Sequence, residues 1–207
     1  MTDASLTPLG VMVLALLREG DMHPYEMMRL LRLRREDRMV RLTNGTFYHT
    51  VARLEREGLI AEVGIDRDGN RPERTTYTLT EKGPEALQEW VRAHLGRTDG
   101  MQNFRVALAE AHNLPRAEAV ALLTMRRDGI AAEQAAMAAG LQHARDRGVA
   151  EQFLIELDRY TTMLGADLAW TDALLARMST PDLPWGTDDL TPANLVAGQA
   201  MRKAARQ

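Results

Sequence analysis

The sequence contains no cysteine. Disulfides, thiol nucleophiles and thiolate metal sites are thereby excluded, and the chain suits a reducing compartment. Serine is almost as scarce. It occurs only at Ser5 and Ser179, neither of them flanked by the glycines of a nucleophile elbow. Aromatic residues make up only 5% of the chain, while alanine, leucine and methionine are plentiful. That balance favours helices over strands. No apolar run approaches the roughly 20 residues that cross a bilayer; the longest near the start is Leu9 to Leu17. The first residues carry Asp3 and no basic cluster, so a secretory signal is not expected. The chain is read as cytoplasmic, with no membrane partner. The histidines (His23, His49, His94, His112, His143) show no ligand spacing, and no glycine-rich phosphate loop is present. Neither metal, cofactor nor enzymatic activity is expected.

What the sequence does have is an uneven charge. The whole carries a formal net charge of −3. Yet Arg29, Arg32, Arg34, Arg35, Arg38, Arg41, Arg53 and Arg56 lie in one stretch against only Glu36, Asp37 and Glu55. A basic patch in an acidic chain is the footprint of a nucleic-acid reader. On charge alone, a solvated helix face accounts for it equally well.

The punctuation of the chain decides between them. Thr7-Pro8 opens a first helix with a capping hydroxyl and a proline at the first helical position. Leu9, Val13, Leu16 and Leu17 form its stripe and Gly20 ends it. His23-Pro24 opens a second helix in the same way. Thr43 or Asn44 caps a third, from about Gly45 to Glu57, with Phe47, Val51 and Leu54 inward and Gly58 as a stop. Residues 59–63 and 75–79 read as two strands around the turn-forming Asp66-Arg67-Asp68-Gly69-Asn70. Three helices and a hairpin are the winged-helix plan, so residues 1–96 are expected to form a winged helix-turn-helix with a two-stranded wing.

Beyond the linker Gly96–Gly100 the pattern is all helical, and the fold class is mainly α. Residues 101–178 are expected to form a dimerisation domain, and residues 179–207 a weakly helical or disordered tail. Two long helices, from Pro115 to about Arg147 and from about Ala150 to Met178, carry heptad-like seams. The first seam holds Val120, Leu123, Ile130, Met137 and Leu141. The second holds Phe153, Leu157, Tyr160, Leu164, Leu168 and Leu175. A plain helical hairpin accounts for such seams, but a helix of some 30 residues spans about 45 Å, more than the winged domain covers. Packing across a homodimer is the reading preferred.

The start of the third helix is the candidate DNA reader. Arg41, Thr43, Asn44 and Thr46 place small polar groups and a cation at a helix N-terminus, where free N–H groups favour phosphate. Tyr48, His49 and Arg53 follow on the outward face. Arg67, Arg71 and Arg74 supply the wing, for backbone or minor-groove contact. The expected partner is double-stranded DNA with a near-palindromic operator.

The pieces Met22-His23-Pro24-Tyr25-Glu26, Asn44-Gly45-Thr46-Phe47-Tyr48, Arg53-Leu54-Glu55-Arg56-Glu57-Gly58-Leu59-Ile60, Arg71-Pro72 and Tyr77-Thr78-Leu79-Thr80-Glu81-Lys82-Gly83 resemble the PadR family of transcriptional regulators. The resemblance covers about residues 7–95, and residues 101–178 look like the C-terminal domain of the longer, Vir-type members. It implies a winged helix-turn-helix, homodimerisation through the C-terminal helices, and repression relieved by a small effector. Two positions depart from the pattern: Pro24 stands where glycine is frequent, and Glu73 where the wing is usually basic. Trp90, on the helix joining reader to dimer domain, is the candidate contact for an apolar or aromatic effector; ordinary core packing is the plainer reading of it. The rival readings are a regulator of MarR type, an activator, and a winged-helix interaction module that binds proteins and no DNA.

Overall fold

A computed structural model of the chain describes residues 6–66, 74–186 and 189–206. The expected caps form. Thr7 Oγ1 accepts from the Gly10 N–H at 3.2 Å and starts α1 (Pro8–Arg18). His23 precedes α2 (Pro24–Leu33), and its Nδ1 lies 2.8 Å from the Thr75 carbonyl, fastening the helix start to the wing. Thr43, not Asn44, caps α3 (Asn44–Arg56). Its hydroxyl accepts from the Thr46 N–H while the Thr46 hydroxyl accepts from the Thr43 N–H, both at 3.2 Å. This reciprocal box satisfies two donors that the first turn would leave bare. Gly58, at φ +69°, follows α3 in the left-handed conformation that ends a helix cheaply only for glycine.

Strands β1 (Ile60–Asp66) and β2 (Arg74–Leu79) pair antiparallel, Ile60 with Leu79 and Glu62 with Tyr77, with an irregularity at Val63. Tyr77 also bridges Met22, so the wing is stitched to the start of α2. Met27, Leu30 and Leu31 of α2 and Phe47, Val51 and Leu54 of α3 are buried against Val13, Leu14 and Leu17 of α1. Burial of this one set fixes the faces that α2 and α3 turn outward.

Helix α4 (Lys82–Leu95) leads through the Gly96–Gly100 segment to α5 (Met101–Ala109), α6 (Arg116–Asp146) and α7 (Ile155–Met178). The same core continues from α1 through α4 and α5 into Ala119 and Leu123 of α6. The segment is pressed onto α6: a Cβ on Gly96 would lie 3.2 Å from the Leu122 carbonyl, and one on Gly129 would lie 2.8 Å from Thr98. Arg126 is buried there, 1% exposed, with its guanidinium over the Phe104 ring at 3.5 Å. It donates to the Arg97 carbonyl and, at 2.8 Å, to Asp167.

Helices α6 and α7 form an antiparallel hairpin within the protomer. Arg145 meets Asp158, Glu133 meets Tyr160, Arg127 meets Asp172 and Arg116 meets the Met178 carbonyl, in reverse order along the two helices. The hairpin corrects part of the seam reading. Leu123, Ile130 and Leu141 are already buried inside the protomer, Leu123 within the core shared with α1, α4 and α5. Val120, Met137, Leu157, Leu164, Leu168 and Leu175 are half-buried, and Phe153 and Tyr160 are exposed. The second helix also starts at Ile155, since Glu151–Phe153 forms a separate 3-10 turn. The end of the chain is ordered into α8 (Pro192–Arg206), which packs on α2 through an Arg206–Glu26 ion pair at 3.0 Å and the buried Ala205. Among the described residues, no helix is long and apolar enough to cross a membrane.

Candidate nucleic-acid interface

The outward face of α3 is continuous. Thr43, Asn44, Gly45, Thr46, Tyr48, His49, Ala52 and Arg56 are all exposed, and Arg41 is exposed just before them. Phe47, Thr50, Val51 and Leu54 are buried on the opposite side. Spacings of three and four residues therefore separate a reading face from a holding face. The first turn offers free N–H groups, three small side chains and no carboxylate, the arrangement that receives a phosphate or a base edge. Gly45 is part of it: a Cβ there would meet no atom within 4 Å.

Arg53 is placed differently from the sequence expectation. Its Nη2 donates to Thr7 Oγ1 at 2.9 Å and its Nε lies 3.7 Å from Glu57, so the side chain ties α3 to the start of α1. Arg56, counted in the basic stretch but not among the expected DNA contacts, is exposed on the same face as Ala52 and Tyr48. Its position four residues beyond Ala52 was the available signal. Arg67 and Arg71 lie outside the described residues, as does the side chain of Arg74, whose backbone begins β2. Trp90 is 6% exposed, in the core, with its ring stacked on His94 at 4.1 Å. Among the described residues, no group of three His, Asp or Glu could hold a metal ion.

Three helices with a capped, outward third helix, followed by a β-hairpin stitched to the second, define a winged helix-turn-helix protein. Residues 13–89 match the model of the Transcriptional regulator PadR-like family. The Bacillus subtilis PadR structure in complex with operator DNA is 19% identical, covering 83% of this chain and 99% of its own, with a TM-score of 0.41. The transcriptional regulator Cth-833 from Clostridium thermocellum is 28% identical, covering 43% of this chain and 82% of its own, with a TM-score of 0.34. Bacillus subtilis PadR in complex with p-coumaric acid is 20% identical, covering 84% of this chain and 100% of its own, with a TM-score of 0.36. Superpositions this loose add nothing to the family match. No curated protein matches the sequence.

Proposed function

We propose that this chain is a sequence-specific, homodimeric repressor whose α3 enters the major groove of a near-palindromic operator. One observation carries the reading: the bare backbone at Gly45. Glycine inside a helix costs about 0.5–1 kcal/mol relative to alanine. Nothing in the protomer crowds that position. A glycine there suits a helix start that something from outside must approach closely. Thr43, Asn44, Thr46, Tyr48 and His49 then address base edges and nearby phosphates, and Arg41 and Arg56 address the backbone on either side. Arg53 positions the helix. Arg67, Arg71 and Arg74 are assigned to backbone contact by the wing.

Dimerisation is assigned to the apolar side of the α6–α7 hairpin that the protomer leaves exposed. Release by a small effector completes the reading. A ligand that prefers a dimer with its two α3 helices misplaced for adjacent grooves lowers DNA affinity; a hundredfold preference corresponds to about 2.7 kcal/mol of coupling. Trp90, being core, serves such a switch by packing and not by contact. The site of action is the cytoplasm, with the DNA.

Titration of the protein on DNA from upstream of its own gene, between 50 and 200 mM salt, tests the reading. Specific binding that weakens steeply with salt is expected. Binding to no DNA at any salt overturns it and leaves the protein-interaction module.

A further inference from the structure

A cavity of about 470 Å³ lies where α8 crosses the ends of α1 and α2 and the turn after α5. That volume falls within the range of small-ligand pockets. Helix α8 is fastened over it at two points, by Arg202 to the Glu19 carbonyl at 2.5 Å and by the Arg206–Glu26 pair. The apolar lining of the cavity comprises Met12 and Leu16, which are buried, and Leu190 and Leu195, which are exposed. The lining is also charged, and two of its three arginines are already engaged. Arg34 holds both oxygens of Glu19, at 2.5 and 2.7 Å, and Arg202 holds the Glu19 backbone. Arg18 is on the exposed edge, and burial holds His112 below its ordinary value, in the neutral form. Two carboxyl groups remain. Glu110 accepts from Asn113 Nδ2 at 3.0 Å, and among the described residues neither Glu110 nor Glu36 forms an ion pair.

We propose that this cavity binds a small organic primary amine, its ammonium set against Glu110 and Glu36 and its apolar body against the Met12–Leu16–Leu190–Leu195 wall. An ammonium has three donors and no acceptor, which suits two carboxyl groups and an amide side chain. A carboxylate ligand would meet the Glu36 carboxylate with the wrong sign. The proposal deepens the effector part of the proposed function and rests on it only for the consequence at DNA.

Binding carries a proton signature. Burial first, and the Glu36 carboxylate next, push Glu110 up to about 8, against the pull of Asn113 and Arg34. At neutral pH an entering ammonium therefore displaces the Glu110 proton to solvent, one proton released for each cation bound. The affinity of an amine that stays ionised across the range rises with pH, roughly ninefold from pH 6 to 7 and fivefold from pH 7 to 8.

Calorimetry of the full chain with phenethylamine, and with phenethyl alcohol as its neutral counterpart, tests this without DNA. The amine is expected to bind at least tenfold more tightly, with that pH rise and with proton release visible in buffers of different ionisation enthalpy. Glu110→Gln should abolish the pH rise. Gly198→Leu should block binding without harming the fold, because Gly198 is half-buried in the cavity wall, has open space at its Cβ, and sits in a helix that leucine favours. Circular dichroism checks both variants. No binding of the amine at millimolar concentration overturns the proposal. So does equal affinity for the alcohol, or unchanged binding by folded Gly198→Leu. If the amine binds as described but leaves operator affinity unchanged, the cavity stands as its site and only the effector part of the proposed function falls.

Discussion

At the scale of single residues, Gly45 and Arg53 make opposite predictions from the same helix. Gly45→Ala adds a methyl group where no protein atom lies within 4 Å and removes the glycine penalty. The variant should be as stable as the parent, or up to about 1 kcal/mol more so, yet bind operator roughly tenfold or more weakly. Thermal melts beside gel shifts separate the two effects, and unchanged operator affinity removes the observation on which the DNA reading stands. Tyr48→Ala should behave in the same way, losing about 1–3 kcal/mol of specific binding with the fold intact. Arg53→Ala should instead cost about 1 kcal/mol of stability, because it strips a donor from Thr7, the cap of α1. Glu110 gives a third residue-scale prediction. Its carboxyl stays protonated to about 8 in the fold, against 4.5 as the ordinary value, with burial the chief cause. The folded state therefore binds a proton that the unfolded chain has released. Stability from this group is full below about pH 4.5 and is lost as pH rises through 8. Melting temperature should fall between pH 6 and 8.5, and Glu110→Gln should flatten that fall.

At the scale of elements, what was legible in the sequence is what local chemistry decides. Thr7-Pro8, Thr43 with Thr46, and Gly58 carry their caps and stops in their own side chains and backbones, so the three helices of the reader fall where the residues put them. The face of α3 was legible for the same reason, since Phe47, Val51 and Leu54 recur at helical spacing. Arg53 was not, because its partner Thr7 lies 46 residues away and no periodicity encodes that meeting. The seam of α6 failed similarly. Its pattern admits a partner from either the same chain or another, and the ion pairs that bring α7 back along it are long-range. Arg126 is the sharpest case: an arginine buried at helical spacing between Leu123 and Ile130, where periodicity leads one to expect an apolar residue. It joins the segment after α4 to α5 and α7 through Arg97, Phe104 and Asp167. Arg126→Met keeps the apolar stem and removes the charge, leaving Asp167, about a quarter exposed, without its partner. A loss of about 2–3 kcal/mol is expected, less than for a fully buried broken pair because water reaches the carboxylate. Denaturant unfolding measures it; a change below about 0.5 kcal/mol would mean that packing of the apolar stem holds the junction, and neither the ion pair nor the stack on Phe104.

At the scale of the whole molecule, the question is what covers α7. In a chain with few aromatics, Phe153 is 74% exposed, Met163 53% and Trp170 47%. Met163 and Trp170 are seven residues apart and fall along one side of the helix, beside the face that Tyr160 turns to Glu133 of α6. An exposed apolar pair on a face that the hairpin leaves open suits a second copy of the same pair, and the expected interface is two-fold, each helix meeting its twin. Two α3 helices related by that axis would read half-sites separated by one helical turn of DNA or a multiple, about 10 base pairs apart. The double variant Met163→Glu, Trp170→Glu puts like charges on both sides of the axis while leaving the buried face of α7, with Thr171 and Met178, untouched. It should sediment as a folded monomer where the parent sediments as a dimer. Its affinity for a single half-site should match the parent's, while its affinity for the full operator falls roughly a hundredfold or more, because the second half-site is no longer tethered to the first. A parent that sediments as a monomer at micromolar concentration removes the dimer. A variant that stays dimeric moves the interface to another face. Equal loss on half-site and full operator would mean that the charges had disturbed the reader itself, across the Arg126 junction.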